Sequence, residues 1–494
     1  MLKRIWFLQL LAEGAALVGV WKINLLPEDY FLILCGALLL LSVFTGGLML
    51  PKRASRLSSG FGVFLSVILF VLSCGAAVLV MDANDRIQGI AGHTGNDLTL
   101  AVYVHNDDPA QSIDDAADYR YAVVRGYETE RTAEAVTAVE NALGVAIDVQ
   151  EYSSARELVE AFFSDRADAL IINSAYVNLL EELDGYENFH QQVRILYEVR
   201  SNAWSSLMQN LQGGSDGKDD KASVTKDPFI IYVSGSDTRN KKLSTSRSDV
   251  NIMAVINPKT KQILLLNTPR DYYIPNPASG TGALDKLTHC GIYGIECSMQ
   301  ALSDLYGTQI DYYAQINFTG FETLIDAIGG ITVHCDQAFT SNDGVHFSKG
   351  PIRLNGANAL TFARERYHLT GGDNARGQNQ MKVITAVIDQ LTSGTTLLGN
   401  YAGIMESLEG MFATSMTSSE ISGLVKMQLR DMAQWNIVSY AVTGSNGSEI
   451  TYSMPGTKLY VMHPNQEMVA QASALIQKVF NGEVITETDV TNSQ

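Results

Sequence analysis

The sequence predicts an α/β protein in three parts: three N-terminal transmembrane helices, a small α/β accessory domain, and a larger α/β/α sandwich. Three observations carry this. Apolar runs of spanning length are crowded into the first 81 residues. Short strand-like and helix-like patterns then alternate. Beyond residue 228 the strand-like runs are apolar at consecutive positions rather than at every second one, as in strands covered by helices on both faces.

The apolar runs are residues 5–21, 31–50 and 61–81. The second and third contain no charge. The first holds Gln9 and Glu13, and because a charge at mid-membrane is costly unless partnered, a contact of Glu13 with a neighbouring helix is expected. No small-residue cleavage site follows the first run and two more spans do, which argues against a signal peptide. Lys3 and Arg4 precede the first span, and Lys52, Arg53 and Arg56 lie between the second and third, whereas the loop NLLPEDY is acidic apart from Lys22 at its edge. The positive-inside rule therefore predicts a multi-pass membrane protein with a cytoplasmic N-terminus, a cytoplasmic 51–60 loop, and residues 82–494 outside.

A formal charge of −18 argues against a nucleic-acid partner, which requires basic surface. Of the five cysteines, Cys35 and Cys74 lie in the spans. The remaining three, Cys290, Cys297 and Cys335, do not make a disulfide framework, although one bridge such as Cys290–Cys297 is compatible with the count.

The parts follow in order. Residues 1–81 form the anchor. Residues 98–210 read as an accessory domain: strands at LTLAVYV, YRYAVVR, AIDVQEY and DALIINSA, with helices at TERTAEAVTAVENAL and SARELVEAFFSD. Residues 211–227, rich in Gly, Asp, Lys and Ser, read as a linker that buries little. Residues 228–482 form the large domain. Its strands are PFIIYVSG, VNIMAVINP, KQILLLNTP, GGITVHC, VSYAVTG and TKLYVMH; its helices span 294–306, 319–328, 373–393, 417–432 and 465–480. Thr417 with Glu420 is a capping-box pattern.

No G-x-S-x-G elbow, H-E-x-x-H or P-loop is present. His289, His334, His346 and His368 lack metal-ligand spacing and read as surface or packing residues. Arginines and aspartates instead gather at strand ends and turns: Asp237 after a first strand, Arg247 and Asp249 before a second, Arg270-Asp271 after a third, then Arg364-Glu365-Arg366, then Asp373, Arg376 and Gln380. In extended chain, residues two apart share a face, as expected for Arg247/Asp249 and Arg364/Arg366. On a helix, i, i+3 and i+7 line one stripe. Each group also has a plain structural reading; Asp373 after two glycines suits an N-cap. Together they predict guanidinium forks and paired carboxylates around one cleft. The forks suit phosphate oxygens, and the carboxylates suit Mg²⁺ bridging to phosphate.

At these residues the chain resembles the LytR-CpsA-Psr family. The motifs are GSDTR, RSDVNIMAVINPKTKQILLLNTPRDYYIP, DKLTHCGIYG, INFTGFETLIDAIGGITV, LNGANALTFARERY and DNARGQNQ, spread over about 228–395. The anchor and accessory domain resemble the family's capsule branch. The resemblance implies a phosphotransferase that moves a capsular polysaccharide, with one phosphate, from a polyprenyl-pyrophosphate carrier in the membrane onto a peptidoglycan hydroxyl. It implies Asp237 and Asp249 as ligands of Mg²⁺ (or Mn²⁺). It implies Arg247, Arg270, Arg364, Arg366 and Arg376 as the pyrophosphate clamp, with Gln380 beside them and Lys286 a further candidate. Arg247, Arg270 and Asp373 are the implied catalytic residues, Asp373 either orienting an arginine or acting as general base. Apolar residues at 318–328 are implied to line a lipid tunnel, and other capsule-synthesis proteins are candidate partners. The family often carries a second arginine where this chain has Asn379. Two other readings stay open: a hydrolase releasing lipid-linked glycan, and a membrane-bound regulator of capsule synthesis.

Overall fold

The computed structural model describes residues 2–51, 55–91, 98–125, 129–181, 183–201, 223–236, 242–393, 403–404 and 408–491. Lys52, Arg53, Asp237 and most of the expected linker lie outside the described residues.

The chain opens with helices α1 (Leu2–Ile23), α2 (Glu28–Met49) and α3 (Arg56–Ile90). All three are long and apolar enough to cross a membrane. The third continues well beyond the apolar run that marks it in the sequence. The expected partner of Glu13 is on α2: Ser42 Oγ donates to Glu13, Gln9 Nε2 donates to Glu13 Oε1 at 2.8 Å, and Thr45 Oγ1 donates to Gln9 Oε1 at 3.2 Å. Four polar side chains thus satisfy one another between two apolar helices, where no water would. At one end of the bundle Trp6 Nε1 donates to Ser42 O at 2.8 Å. At the other, Asn24 accepts from Lys426 of the large domain.

The next sheet contains β1 (Leu98–His105), β2 (Arg120–Val124), β3 (Asp148–Tyr152), β4 (Ala169–Asn173) and β5 (Val193–Ser201), in the order β3-β2-β4-β1-β5. Helix α4 (Thr129–Leu143) covers one face through Ala135 and Val139, and α5 (Ala155–Phe163) covers the other through Leu158 and Phe162. The strand-like patterns of the sequence do not include β5, whose charged residues Arg194 and Glu198 hide an edge strand that pairing with β1 completes.

The large domain is built on β6 (Phe229–Ser236), β7 (Ser248–Asn257), β8 (Gln262–Asn267), then β9 (Tyr273–Pro275), β10 (Leu284–Lys286), α6 (Ile295–Tyr306), β11 (Tyr312–Asn317) and α7 (Phe318–Ala327). It continues with β12 (Ile331–Cys335), β13 (Gly350–Leu354), α8 (Gly356–Arg364), α9 (Gly372–Thr392), β14 (Phe412–Thr414), α10 (Ser418–Asp431), β15 (Asn436–Ala441), β16 (Gly444–Thr451), β17 (Met454–Pro464) and α11 (Gln466–Phe480). Six of these strands form the central sheet, ordered β14-β11-β6-β7-β8-β15. The centre, β6-β7-β8, is an antiparallel meander, flanked by the parallel pairs β11–β6 and β8–β15.

Both faces of this sheet are covered, as its unbroken apolar strands require. Ile230, Tyr232, Met253 and Leu264 pack with Leu302 of α6 and Ile476 of α11. Ile252, Ala254 and Leu265 pack with Met381 of α9. The capping box at Thr417 and Glu420 starts α10 as expected. Val224, in the stretch expected to bury little, is buried against Phe229, Tyr312 and Met416, so the end of that stretch belongs to the domain that follows it. Cys290, Cys297 and Cys335 are buried free thiols.

The accessory sheet rests on the large domain: Asn173 Nδ2 donates to Ile292 O at 3.1 Å, Tyr176 Oη donates to Ser453 O, and the two share one continuous apolar core.

Candidate functional site

Strand register builds the centre of the site. β7 and β8 pair antiparallel with Ile252 opposite Asn267, and Thr268 N donates to Asn251 O at 3.0 Å. Continued outward, that register sets Asp249 opposite Arg270, and Arg270 Nη1 donates to Asp249 Oδ1 at 2.8 Å. Both side chains are largely buried. Burial pushes the Asp249 carboxyl up, but the charges of Arg270, Arg247 and Arg376 and the bond from Arg270 hold it below the usual carboxylate range. Burial alone would lower Arg270, but the charges of Asp249 and Asp271 outweigh it and raise the guanidinium.

A second layer supports Arg270. Asp271 is buried, with Oδ2 3.7 Å from Arg270 Nε and Oδ1 3.4 Å from Lys286 Nζ. Lys286 is itself buried and does not line the cavity described below. The sequence offers it as a further candidate for the phosphate clamp; in the structure it pairs with Asp271 and is not among the cavity-lining residues.

α9 closes the site from above. Gly377 lies against Asn267 so closely that a Cβ there would collide with the Asn267 side-chain amide, which would have to turn aside, so the glycine lets α9 settle onto the end of β8 with that amide in place. Arg376 Nη2 comes to 2.5 Å from Asp373 Oδ1, one helical turn away. Desolvation lowers Arg376, and Arg270 adds to that by like-charge repulsion. The N-cap of α9 is Gly371, so Asp373 is not the capping residue but sits in the first turn. Asn379 is buried and donates from Nδ2 to Phe362 O at 3.3 Å, so the position where an arginine is often found packs here against α8.

α8 supplies the last arginines. Arg364 is its final residue, so Arg364 and Arg366 do not come from one extended segment as expected. They are aimed by Glu365 between them, whose Oε1 accepts from the backbone N–H of Arg366 (2.8 Å), Tyr367 (2.8 Å) and His368 (3.1 Å). The Arg364 guanidinium lies over the Phe318 ring, 4.5 Å from its centroid, which fixes its plane.

These elements enclose a cavity of about 380 Å³. Arg247, Asp249, Arg270, Arg364, Arg366, Arg376 and Gln380 all line it. Its remaining wall is mostly apolar, with Val233, Val250, Ile316, Phe318, Phe321, Leu360 and Val383, together with Asn317 and Tyr367. From the stretch 318–328, Phe318 and Phe321 face the cavity, while Ile325 and Ile328 belong to the core. Asp373 is not among the cavity-lining residues, but its ion-pair partner Arg376 is. Phe318, Glu365 and Tyr367 all lie within the motifs INFTGFETLIDAIGGITV and LNGANALTFARERY, but nothing in the sequence gives Glu365 and Tyr367 a role of their own.

Among the described residues no group of three His, Cys, Asp or Glu side chains could hold a metal. Asp249 presents one carboxylate to the cavity, with Oδ1 bonded to Arg270. That donor set fits Mg²⁺ only if substrate phosphates complete the shell, which is how Mg²⁺ is commonly bound.

A family model described as the LytR_cpsA_psr family matches residues 197–472. A polyisoprenyl-teichoic acid–peptidoglycan teichoic acid transferase TagU of Enterococcus faecalis is 33% identical over 198 residues, 40% of this chain and 64% of that protein, so less than two thirds of its length is spanned. The TagU of Bacillus anthracis is 30% identical over 233 residues, 47% of this chain and 75% of that protein. Among solved structures, B. subtilis TagV is 24% identical and superposes with a TM-score of 0.44, covering 53% of this chain and 99% of that one.

Proposed function

Because the chain belongs to the LytR_cpsA_psr family, we propose that it transfers a glycopolymer from a polyisoprenyl-pyrophosphate carrier onto peptidoglycan. The observation that carries this reading is the mixed lining of one cavity: Arg247, Arg270, Arg364, Arg366 and Arg376 share it with a largely apolar set that includes Val233, Val250, Ile316, Phe318 and Phe321. Guanidinium forks recognise phosphate oxygens, and an apolar wall accepts a prenyl chain. The relatives' names give teichoic acid as the cargo. We assign capsular polysaccharide here, on the resemblance of the anchor and accessory domain to the capsule branch.

In the proposed reaction a peptidoglycan hydroxyl oxygen attacks the phosphorus that carries the glycan. The bond between that phosphorus and the bridging oxygen breaks, polyisoprenyl phosphate leaves with the bridging electrons, and the hydroxyl proton passes to that leaving phosphate, directly or through water. The five arginines hold the two phosphates and offset the charge that grows on the leaving oxygen, so catalysis rests on positioning and preorganised charge. The Asp373–Arg376 pair supports the orienting role for Asp373 over that of general base. Mg²⁺ or Mn²⁺, held by Asp249 and Asp237 and completed by phosphate oxygens, would supply further neutralisation of the leaving group.

We place the chain in the cell membrane with the large domain outside. The basic residues Lys3, Arg4 and Arg56 sit at one end of the helix bundle, and the Asn24 contact with Lys426 sits at the other. Such an enzyme stands where a membrane-bound donor meets the wall.

The test uses the full chain in nanodiscs with a synthetic polyisoprenyl-pyrophosphate saccharide, a peptidoglycan oligomer and Mg²⁺, read by mass spectrometry. A saccharide joined to the oligomer through one phosphate is the expected product. Free phosphosaccharide as the sole product would mean hydrolysis, and an intact but bound donor would mean a lipid-binding regulator.

A further inference from the structure

We propose that the accessory domain positions the pyrophosphate clamp through the segment Asp285–Tyr293, with Asn173 and Tyr176 as the positioning residues. The inference rests on the transferase reading and adds to it the part of the chain that holds two of the site's arginines in place.

On one side the segment carries the clamp. Thr288 N donates to Arg270 O at 2.8 Å, and Leu287 N donates to Tyr272 O at 2.9 Å. Gly291 lies directly on the chain around Arg247: a Cβ there would stand 2.6 Å from Ser246 O and 2.7 Å from Ser248 N. The φ of Gly291 is −61°, which any residue adopts, so the close approach itself calls for the glycine. Arg247 before β7 and Arg270 after β8 thus rest their backbones on one short stretch.

On its other side the stretch is fastened to the accessory domain. Asn173, the last residue of β4, is buried and donates from Nδ2 to Ile292 O at 3.1 Å, next to Gly291. Its Oδ1 accepts from Ala175 N at 3.0 Å, so its own domain holds the side chain that reaches the other. Tyr176 donates to Ser453 O, in the turn between β16 and β17. Ser453 donates to Asp285 Oδ2 from its N–H, at 3.1 Å, and from its hydroxyl. Asp285 Oδ1 lies 2.6 Å from His289 Nδ1. Tyr176, Ser453, Asp285 and His289 are all buried.

A contact between domains can serve adhesion alone. Here the apolar core that the two domains share already supplies adhesion. The polar bonds add direction, because a hydrogen bond has a narrow geometry and apolar contact does not. They end on the few residues whose other side bears Arg247 and Arg270. A displacement of the accessory domain therefore moves Gly291 and Thr288, and with them two arginines whose catalytic effect depends on placement to within about 1 Å.

The experiment uses the full chain in nanodiscs with the lipid-linked saccharide, the peptidoglycan oligomer and Mg²⁺, each variant assayed well below its melting temperature. Asn173→Ser keeps a hydroxyl to cap Ala175 but nothing that reaches Ile292, and Tyr176→Phe removes only the hydroxyl. Val139→Ala is the control: Val139 packs in the separate core on the other face of the accessory sheet. Expected is a fall in kcat of about tenfold in Asn173→Ser and about threefold in Tyr176→Phe, with KM for the donor within about twofold of wild type. Val139→Ala melts lower but keeps both constants. Gly291→Ala presses on Ser246 and Ser248 directly and should show the same loss of kcat, and combining it with Asn173→Ser should cost less than the product of the two single losses. Unchanged kcat in Asn173→Ser and Tyr176→Phe, with only the melting temperature lowered, would overturn the positioning role alone. An equal loss of kcat in Val139→Ala would also overturn it, since general loosening would then suffice. A wild type that forms no product would overturn the transferase reading, and the positioning role with it.

Discussion

Arg270 and Asp249 face each other across the open end of the β7–β8 pair, joined by a 2.8 Å bond that the strand register dictates. Both are largely out of water, so each depends on the other: removing one partner of a buried pair strands a charge and costs about 3 kcal/mol or more. Arg270→Ala is therefore expected to lower both thermal stability and glycan transfer, the latter by about 10²-fold through loss of a contact to developing charge. Thermal melting and product yield on the same preparation check this.

The same pair sets a pH dependence. A carboxylate held below its ordinary value of 3.8 stabilises the fold while ionised. That stabilisation is present above the unfolded value and disappears as pH falls through the lower, folded one. The melting-temperature gap between wild type and Asp249→Asn should stay level from about pH 8 to about pH 5 and close below about pH 4. A gap already closing near neutrality would contradict the depressed carboxylate.

Lys286 touches Asp271 and not the cavity, so its loss should act at second hand. Lys286→Met leaves the Asp271 carboxylate buried with the more distant Arg270 as its remaining cationic partner among the described residues. The expected result is a clear loss of stability with a fall in kcat of about tenfold, smaller than for Arg270→Ala. Steady-state kinetics of the two variants side by side decide the ranking.

Phe318 fixes the plane of Arg364 at 4.5 Å. Phe318→Ala should raise KM for the lipid-linked donor about three- to tenfold, the value of a partly desolvated cation–π contact. Arg364→Lys should not substitute for arginine here, because an ammonium presents neither the plane nor the fork. Donor titrations of both variants provide the check.

In the membrane, Glu13 and Gln9 on α1 meet Ser42 and Thr45 on α2. Ser42→Leu removes one bond to Glu13 without changing helix propensity much. A loss of about 0.6 kcal/mol, and at most about 1.7, is expected for one interhelical bond in lipid. Unfolding of the full chain in mixed micelles measures it.

Much of this could be read along the chain. The apolar spans, the helix over 129–143, the capping box at Thr417, and the arginines at 247, 270, 364, 366 and 376 are all carried by neighbouring residues. Hydropathy, period and cap chemistry act over a few positions, so composition within a short window is enough to reveal them. The helix over Gly356–Arg364 was not legible, because Gly356 and Asn358 weaken its propensity while its packing on α7 and α9 restores it. The same tertiary compensation hid strand β5.

Proximity across long separations is a different matter. Lys286 belongs by motif to the clamp, yet by packing it pairs with Asp271 and does not line the cavity. Met462 stands far along the chain from Asp271 and Tyr272 and meets them only because its hairpin docks on that segment. The linear order of residues thus specified which chemical groups this protein owns and the local shape around each. Which of them share one cavity was decided by strand order, register and the close approach at Gly377, through contacts between segments that have no short-range signature.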